Sequence, residues 1–175
     1  MSSFYVYLLS SLPMLHFGAK PPFSYARFME LCRAQVPESD AALLEAVDQE
    51  TGALVLTQPT MRRWVDFDTT LRNELARGRA ARLHVEATAY LRQEASVDLS
   101  VVHAAQAALR QPSPLDGERM LDEMRWRFLE EAAVGHYFDL DRLVIYALEL
   151  KILLRWERIS VADKARLLDE ATTRT

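Results

Sequence analysis

The chain has 175 residues, of which half are hydrophobic and 26% are charged, so general disorder is excluded and an ordinary globular composition is indicated. A formal net charge of -4 argues against a nucleic-acid partner, because domains that follow a phosphate backbone are strongly basic. Glycine is scarce, and the single cysteine, Cys32, cannot form an internal disulfide, so we expect a helical, cytoplasmic protein.

Residues 4–15, at the start of the chain, are mostly apolar. We do not interpret them as a signal peptide, because no basic region precedes them and no small-residue cleavage pattern follows. No stretch of the sequence approaches the roughly 20 apolar residues that a membrane-spanning helix needs, so we expect no membrane insertion. Residues 4–9 are apolar on every side, and this pattern fits a strand and a helix equally.

Two short helices are predicted next. Ser24 is a suitable N-cap for a helix whose apolar stripe includes Cys32, and Pro37 ends it. We therefore expect Cys32 to be a small core residue rather than a nucleophile. Ser39 opens a second helix, which is followed by a loop or short extended piece at residues 53–59.

One long helix is predicted over residues 60–93, where no proline interrupts the chain and apolar residues recur every three or four positions. A single helix of this length would be roughly 50 Å long. A small domain does not need such a rod, so we expect either a coiled-coil-like partner or a bend at Gly78.

Arginines cluster on this long helix, and Arg72, Arg79 and Arg82 are candidate interface residues. The alternative is a solvated helix face that nearby glutamates partly balance. Arg82 falls on the apolar stripe, where a buried charge must be paired. Its carboxylate partner would come either from Glu86, one turn further on, or from another protein.

The second half of the chain is predicted to contain a helix over residues 98–111, with three residues facing inward: Leu99, Val102 and Leu109. Prolines then mark a hinge at residues 111–114, the best candidate for a boundary in what we otherwise predict to be a single helical domain, residues 1–175. The last helix is predicted to begin at Ser160.

An amphipathic helix is predicted over residues 118–134, with an apolar stripe that comprises Met120, Leu121, Met124, Phe128 and Ala132. Trp126 projects away from this stripe when residues are placed about 100° apart. Large exposed aromatic residues are rare on monomers and enriched at interfaces, so Trp126 is a candidate interface residue. The alternative is that a neighbouring helix covers it.

The most apolar segment, residues 140–156, is predicted to be a central helix that Asp139 or Asp141 caps. Lys151 and Arg155 lie on one side of it, four residues apart, and repel each other mildly unless a carboxylate lies between them. That carboxylate would belong to this chain or to an acidic partner surface, and both residues are therefore candidate interface residues.

Motifs that carry chemistry are absent from the sequence. There is no glycine-rich phosphate loop, and the four histidines do not have metal-ligand spacing with one another or with Cys32 (His16, His84, His103 and His136). Asp139 and Asp141 have a structural explanation as helix caps. We therefore predict no catalytic, cofactor-binding or metal-binding residues, no cofactor, and a protein that is not an enzyme.

Several segments resemble a small bacterial family of uncharacterised proteins associated with V-type ATPases. That family is itself similar to a shortened form of the stalk-capping subunit found in the rotary ATPases of archaea and eukaryotes. The segments are residues 4–13, residues 71–75 with Arg79 and Ala80, residues 121–126, residues 136–141, and Tyr146 with residues 150–156. Together they span most of the chain, although each is short.

The resemblance implies a non-catalytic, all-helical adaptor that links or caps the central stalk at the membrane ring. Its partners would be stalk or ring subunits, and it would be cytoplasmic, at the periphery of the inner membrane. The stalk-capping subunit is longer and has repeated helical units, so a role in assembly or regulation is an alternative. A generic helical interaction protein, homo-oligomeric through the helix at residues 60–93, is a further alternative.

Overall fold

The computed structural model describes residues 4–49, 57–92 and 98–173. Every regular element in these ranges is helical, and the described ranges contain no strand. The helices are α1 (Val6–Ser11), α2 (Tyr25–Arg33), α3 (Glu38–Gln49), α4 (Pro59–Leu83), a 3-10 helix (Thr88–Tyr90), α5 (Leu99–Leu109), α6 (Pro114–Ala132) and α7 (Leu140–Thr173). The predicted all-α class is confirmed, and the ambiguous N-terminal segment is helical. Most of the predicted loop at residues 53–59 lies outside the described residues.

Contacts divide the chain into two compact units. The first comprises Met1–Val55 and Ala133–Thr175, and the second comprises Leu56–Ala132. The predicted hinge at residues 111–114 lies inside the second unit, between α5 and α6. Compactness does not show that either unit folds by itself, so the single domain stays a prediction.

The first unit is organised around α7, whose residues 143–150 are all buried. This helix packs against α2 and α3, and the ring of Tyr146 stacks on Phe28 with centroids 5.5 Å apart. Asp139 caps α7 by accepting a hydrogen bond from the Arg142 amide at 3.0 Å. The predicted central position of this segment is therefore observed. The predicted helix start at Ser160 is wrong, because no glycine or proline interrupts α7 there and the helix continues.

The second unit consists of α4, α5 and α6, which pack against one another around a small apolar core. The core residues are Leu71, Leu75, Val101, Ala105, Ala108 and Leu121. Leu71 and Leu75 of the predicted long helix face inward, so this part of the apolar stripe of α4 packs against the other helices of the unit.

The long helix is shorter than predicted, because α4 ends at Leu83. His84 adopts the left-handed conformation, with φ of 55°, and its amide bonds to carbonyls of the last turn. Asn73 then fixes the returning chain, since its side chain exchanges two hydrogen bonds with the backbone of Arg92, at 2.8 and 2.9 Å. The helix passes through Gly78 without ending, and α5 packs beside it there.

The predicted inward face of α5 is only partly correct: Leu109 packs against the core of the unit and Val102 is partly buried, but Leu99 does not face inward. Leu99 is 71% exposed, whereas Val101 and Ala105 are buried. The reason is that α5 contacts both α4 and α6, so it needs small residues on the sides where two helices approach it.

Candidate functional site

The arginines singled out on α4 lie at the surface, and two of them have partners within the chain. Arg72 is paired with Asp68, with Nε and Oδ2 2.5 Å apart. Arg82 is exposed rather than buried, and its guanidinium donates a hydrogen bond to the carbonyl of Leu109, at the end of α5. It therefore needs no buried carboxylate. Arg79 is exposed.

Trp126 is a core residue, with only 4% of its surface exposed. Its indole Nε1 donates a hydrogen bond to Oε1 of Glu130 at 2.9 Å. The prediction that Trp126 projects into solvent is wrong, and the alternative of a covered side chain holds. Of the five residues predicted on the apolar stripe of this helix, Leu121 and Ala132 are buried, whereas Met120, Met124 and Phe128 are only partly buried. The buried face of α6 thus overlaps the predicted stripe at these two residues and extends beyond it to Trp126 and Leu129.

Lys151 is also satisfied within the chain. Its ammonium donates hydrogen bonds to the carbonyls of Val47 and Asp48, both at 2.8 Å, in the last turn of α3. Carbonyls at a helix C-terminus lack partners within their own helix and favour a cation. Arg155 is half-buried and has an interaction within the chain. Neither residue requires an acidic partner surface.

An exposed aromatic patch forms where the start of the chain meets the loop before α7. The backbone amide of Tyr5 donates a hydrogen bond to the carbonyl of Phe138 at 2.5 Å, which joins the two segments. Four aromatic side chains on the two joined segments are exposed: Phe4, Tyr7, Tyr137 and Phe138. We call these four residues the aromatic patch. The only signal in the sequence was that residues 4–9 are apolar on every side.

Two buried residues hold α1 in place beneath the aromatic patch. Leu8 is 1% exposed, and Tyr5 is buried with its hydroxyl bonded to the carboxylate of Asp40. A short helix that is fixed in this way leaves its other apolar residues outside, because a single turn and a half has only one face to bury. The exposed rings are therefore presented from an anchored backbone.

A groove lies in the second unit, between α4, α5 and α6, with a volume of 760 Å³. Its floor consists of Phe67, Val101, Met120, Met124 and Phe128. The rings of Phe67 and Phe128 are stacked, with centroids 4.2 Å apart, and three of the other floor residues belong to or pack against the core of the unit. The floor of the groove is thus formed by the outer side chains of that core.

Charged side chains surround this apolar floor. They are Arg63, Asp66, Asp98, Glu123, Arg127 and Glu131, four carboxylates against two guanidiniums. Glu123 is paired with Arg127, with Oε1 and Nη2 2.6 Å apart. Asp98 caps α5 by accepting hydrogen bonds from Ser100, and these hydrogen bonds lower its pKa. The rim therefore has an excess of negative charge.

His136, Asp139 and Asp141 bring three donor atoms within 4.8 Å of one another, close enough to share a metal ion. A tetrahedral zinc ion would keep its ligands roughly 3.4 Å apart. Here Nδ1 of His136 lies 2.6 Å from Oδ2 of Asp139 and 4.0 Å from Oδ2 of Asp141, so the first contact is a hydrogen bond. Asp139 also caps α7, whose positive end disfavours a cation. We assign this cluster a capping role.

Arg125 joins α4 to α6 inside the second unit. Its guanidinium bonds to Asp68 at 2.9 Å and to Asp122 at 2.8 Å, and Asp122 is buried. Burial alone would lower the pKa of Arg125, but the two carboxylates outweigh it and the pKa is raised. The group is a structural ion network that fixes the helices flanking the groove.

Comparison with known proteins gives one partial match. A family model described as "Protein of unknown function (DUF2764)" matches residues 107–170, from the end of α5 into α7, which is less than half of the chain. No curated protein matches the chain. No solved structure matches it either. Within the described residues, none of the helices is both long enough and apolar enough to cross a bilayer.

Proposed function

We propose that this chain is a non-catalytic helical adaptor of a V-type rotary ATPase, and that it contacts the central stalk or the membrane ring through the aromatic patch. The aromatic patch is the observation that carries the proposal. Large exposed aromatic side chains are uncommon on isolated proteins and are enriched where proteins bind one another.

The size of the aromatic patch supports a protein interface. Phe4, Tyr7, Tyr137 and Phe138 are 71%, 88%, 73% and 39% exposed, which together amounts to nearly three whole aromatic residues. At roughly 200 Å² for each, the patch offers about 500 Å². That area is within the range of functional surface patches, and it is more than half of the roughly 800 Å² that each partner contributes to a standard interface.

The ATPase as the partner rests on the resemblance, and the positions of the resembling segments support it. Two of these segments, residues 4–13 and residues 136–141, contain the whole aromatic patch. The other segments contain both core residues, such as Leu71, Leu75 and Leu121, and the exposed Arg72 and Arg79.

A pull-down from the native host in mild detergent tests this proposal. The wild-type protein is expected to recover stalk or ring subunits of the V-type ATPase. The double variant Tyr7→Ser/Tyr137→Ser should recover at least about tenfold less, because truncating two interface anchors costs more than about 1.4 kcal/mol. Tyr90→Ser is the matched control, since Tyr90 is an exposed tyrosine of the second unit, outside the patch.

Two outcomes would overturn the proposal. One is a wild-type protein that purifies without ATPase subunits from a lysate in which the ATPase is intact. The other is a folded double variant that still recovers these subunits as the wild type does. Homo-oligomerisation stays a prediction, but the stripe of α4 no longer supports it, because Leu71 and Leu75 are core residues.

A further inference from the structure

We infer that the groove of the second unit is a docking site for an amphipathic helix of a partner protein, one that has lysine or arginine residues beside its apolar face. This site is separate from the aromatic patch and does not depend on the identity of the partner proposed above. Three properties of the groove carry the inference: the chemistry of its floor, its size and the charge of its rim.

The floor is suited to the apolar face of a helix. Met120 and Met124 are flexible and polarizable, so they adapt to irregular side chains, and the stacked Phe67 and Phe128 add a flat apolar wall. All four side chains are partly buried: three of them pack against the core of the unit, and the two phenylalanine rings also contact Trp64. Because all four line the groove, part of each side chain faces it, as in a groove that receives helix anchors at positions i, i+3, i+4 and i+7.

The size of the groove agrees with a helix face. A helix with its side chains occupies roughly 500 Å³ per turn, from a diameter of about 11 Å and a pitch of 5.4 Å. The groove has a volume of 760 Å³. Since only one side of a docked helix enters a groove, this volume accommodates the anchors of two to three turns, roughly three or four side chains.

The charge of the rim determines which charge the flanking residues of a docked helix should have. Because Glu123 is paired with Arg127, the remaining rim charges are three carboxylates, Asp66, Asp98 and Glu131, against one guanidinium, Arg63; Asp98 keeps its charge as a cap. Asp66 and Glu131 are exposed at the mouth of the groove. A docked helix with basic flanks meets two carboxylates there, whereas one with acidic flanks meets like charge, so complementarity favours the basic helix.

Fluorescence anisotropy with the full chain and two labelled peptides tests the inference. Both peptides have about 16 residues and the same leucine stripe, and they differ only in having lysine or glutamate on the flanks. We expect the lysine peptide to bind at least about tenfold more tightly, and its affinity to fall as salt is raised. Glu131→Lys should weaken it roughly threefold to tenfold, because a favourable rim charge becomes a repulsive one.

Two further variants complete the experiment. Glu86→Lys is the matched control, because Glu86 is an exposed glutamate of the same unit that does not line the groove. It should leave the preference for the lysine peptide unchanged, apart from a weak long-range repulsion. Met124→Lys should abolish binding of the lysine peptide, with circular dichroism confirming that the variant remains helical. Equal binding of the two peptides, no binding of either, or an equal effect of Glu131→Lys and Glu86→Lys would overturn the inference.

This test is independent of the proposed function. It uses the isolated protein, and Tyr7→Ser/Tyr137→Ser should bind the lysine peptide as tightly as the wild type does. If the peptides fail to bind while ATPase subunits still co-purify, only the groove inference is wrong. If the lysine peptide binds while the ATPase does not co-purify, only the proposed function is wrong.

Discussion

The position of Cys32 on the apolar stripe of its helix determines the burial and the reactivity of its thiol. Its thiol is fully buried on the inward face of α2, as the spacing of apolar residues indicated. Burial penalises the thiolate and raises the pKa of the thiol from 9.0 to about 12. A group of this kind is a poor nucleophile, which supports the interpretation of Cys32 as a core residue.

The raised pKa of Cys32 predicts how stability depends on pH. Between about pH 9 and pH 12 the thiol ionises in the unfolded chain but not in the folded one, so its contribution to the free energy of unfolding is lost as the pH rises. Denaturant titrations at several pH values give the free energy of unfolding as a function of pH. In this window it should fall more steeply for the wild type than for Cys32→Ala, by up to about 1.4 kcal/mol per pH unit. Identical slopes for the two proteins would contradict the buried thiol.

Trp126 leads to a different prediction from the one its sequence position suggested. Because the side chain is buried, Trp126→Ala should lower the free energy of unfolding by about 3–5 kcal/mol. Tyr7→Ser, at an exposed aromatic residue, should change it by less than about 0.5 kcal/mol. Chemical denaturation measures both values, and a neutral Trp126→Ala would mean that this ring lies at the surface after all.

At the scale of helices, two predicted caps are observed, but the one at Ser160 is not, because α7 continues through it. Ser24 and Asp139 act as N-caps at or near the predicted helix starts, because a cap is a local hydrogen bond that a short sequence determines. The faces of α5 and α6 were predicted only in part, since Leu109, Leu121 and Ala132 face inward as expected, whereas Leu99 and Trp126 do not behave as expected. Each packs against two other helices, so more than one side is buried, and an apolar stripe alone cannot tell which side is more enclosed.

The end of α4 shows the same limit. The apolar pattern continues beyond Leu83, but no core lies beside it there, and Val85 is exposed. His84 ends the helix in the left-handed conformation without a glycine. The chain then returns to pair Arg92 with the side chain of Asn73, a contact that periodicity does not reveal.

Helices α5 and α6 approach each other closely at Gly117. A Cβ atom at this position would lie 2.8 Å from the carbonyl oxygen of Ala108, a backbone atom that cannot move aside alone. Although alanine gains about 1 kcal/mol in helix propensity, we expect Gly117→Ala to destabilise the chain by about 1–3 kcal/mol.

Gly78→Ala is the matched control for this prediction. Its added Cβ would meet only the end of the Leu109 side chain, which can rotate away, so the loss should be smaller. Thermal unfolding of the two variants gives the comparison. A Gly117→Ala variant more stable than Gly78→Ala would show that the helices are not packed as tightly as described.

At the scale of the whole molecule, composition was enough to predict an all-α protein, but not the surfaces it offers. None of the six candidate interface residues belongs to the aromatic patch or lines the groove. The aromatic patch depends on a hydrogen bond between Tyr5 and Phe138, and the groove on three helices that come together. Such surfaces depend on contacts between segments distant in the sequence, which local periodicity does not encode.

The central claim is that the aromatic patch faces a V-type ATPase. The most direct test replaces Tyr7, which is 88% exposed, with a photo-crosslinking amino acid in the native host, and places the same group at the exposed Tyr90 as the control. We predict that irradiation links position 7, and not position 90, to a stalk or ring subunit identified by mass spectrometry. Cross-links from position 7 only to proteins outside the ATPase, in cells where the complex is assembled, would contradict the claim.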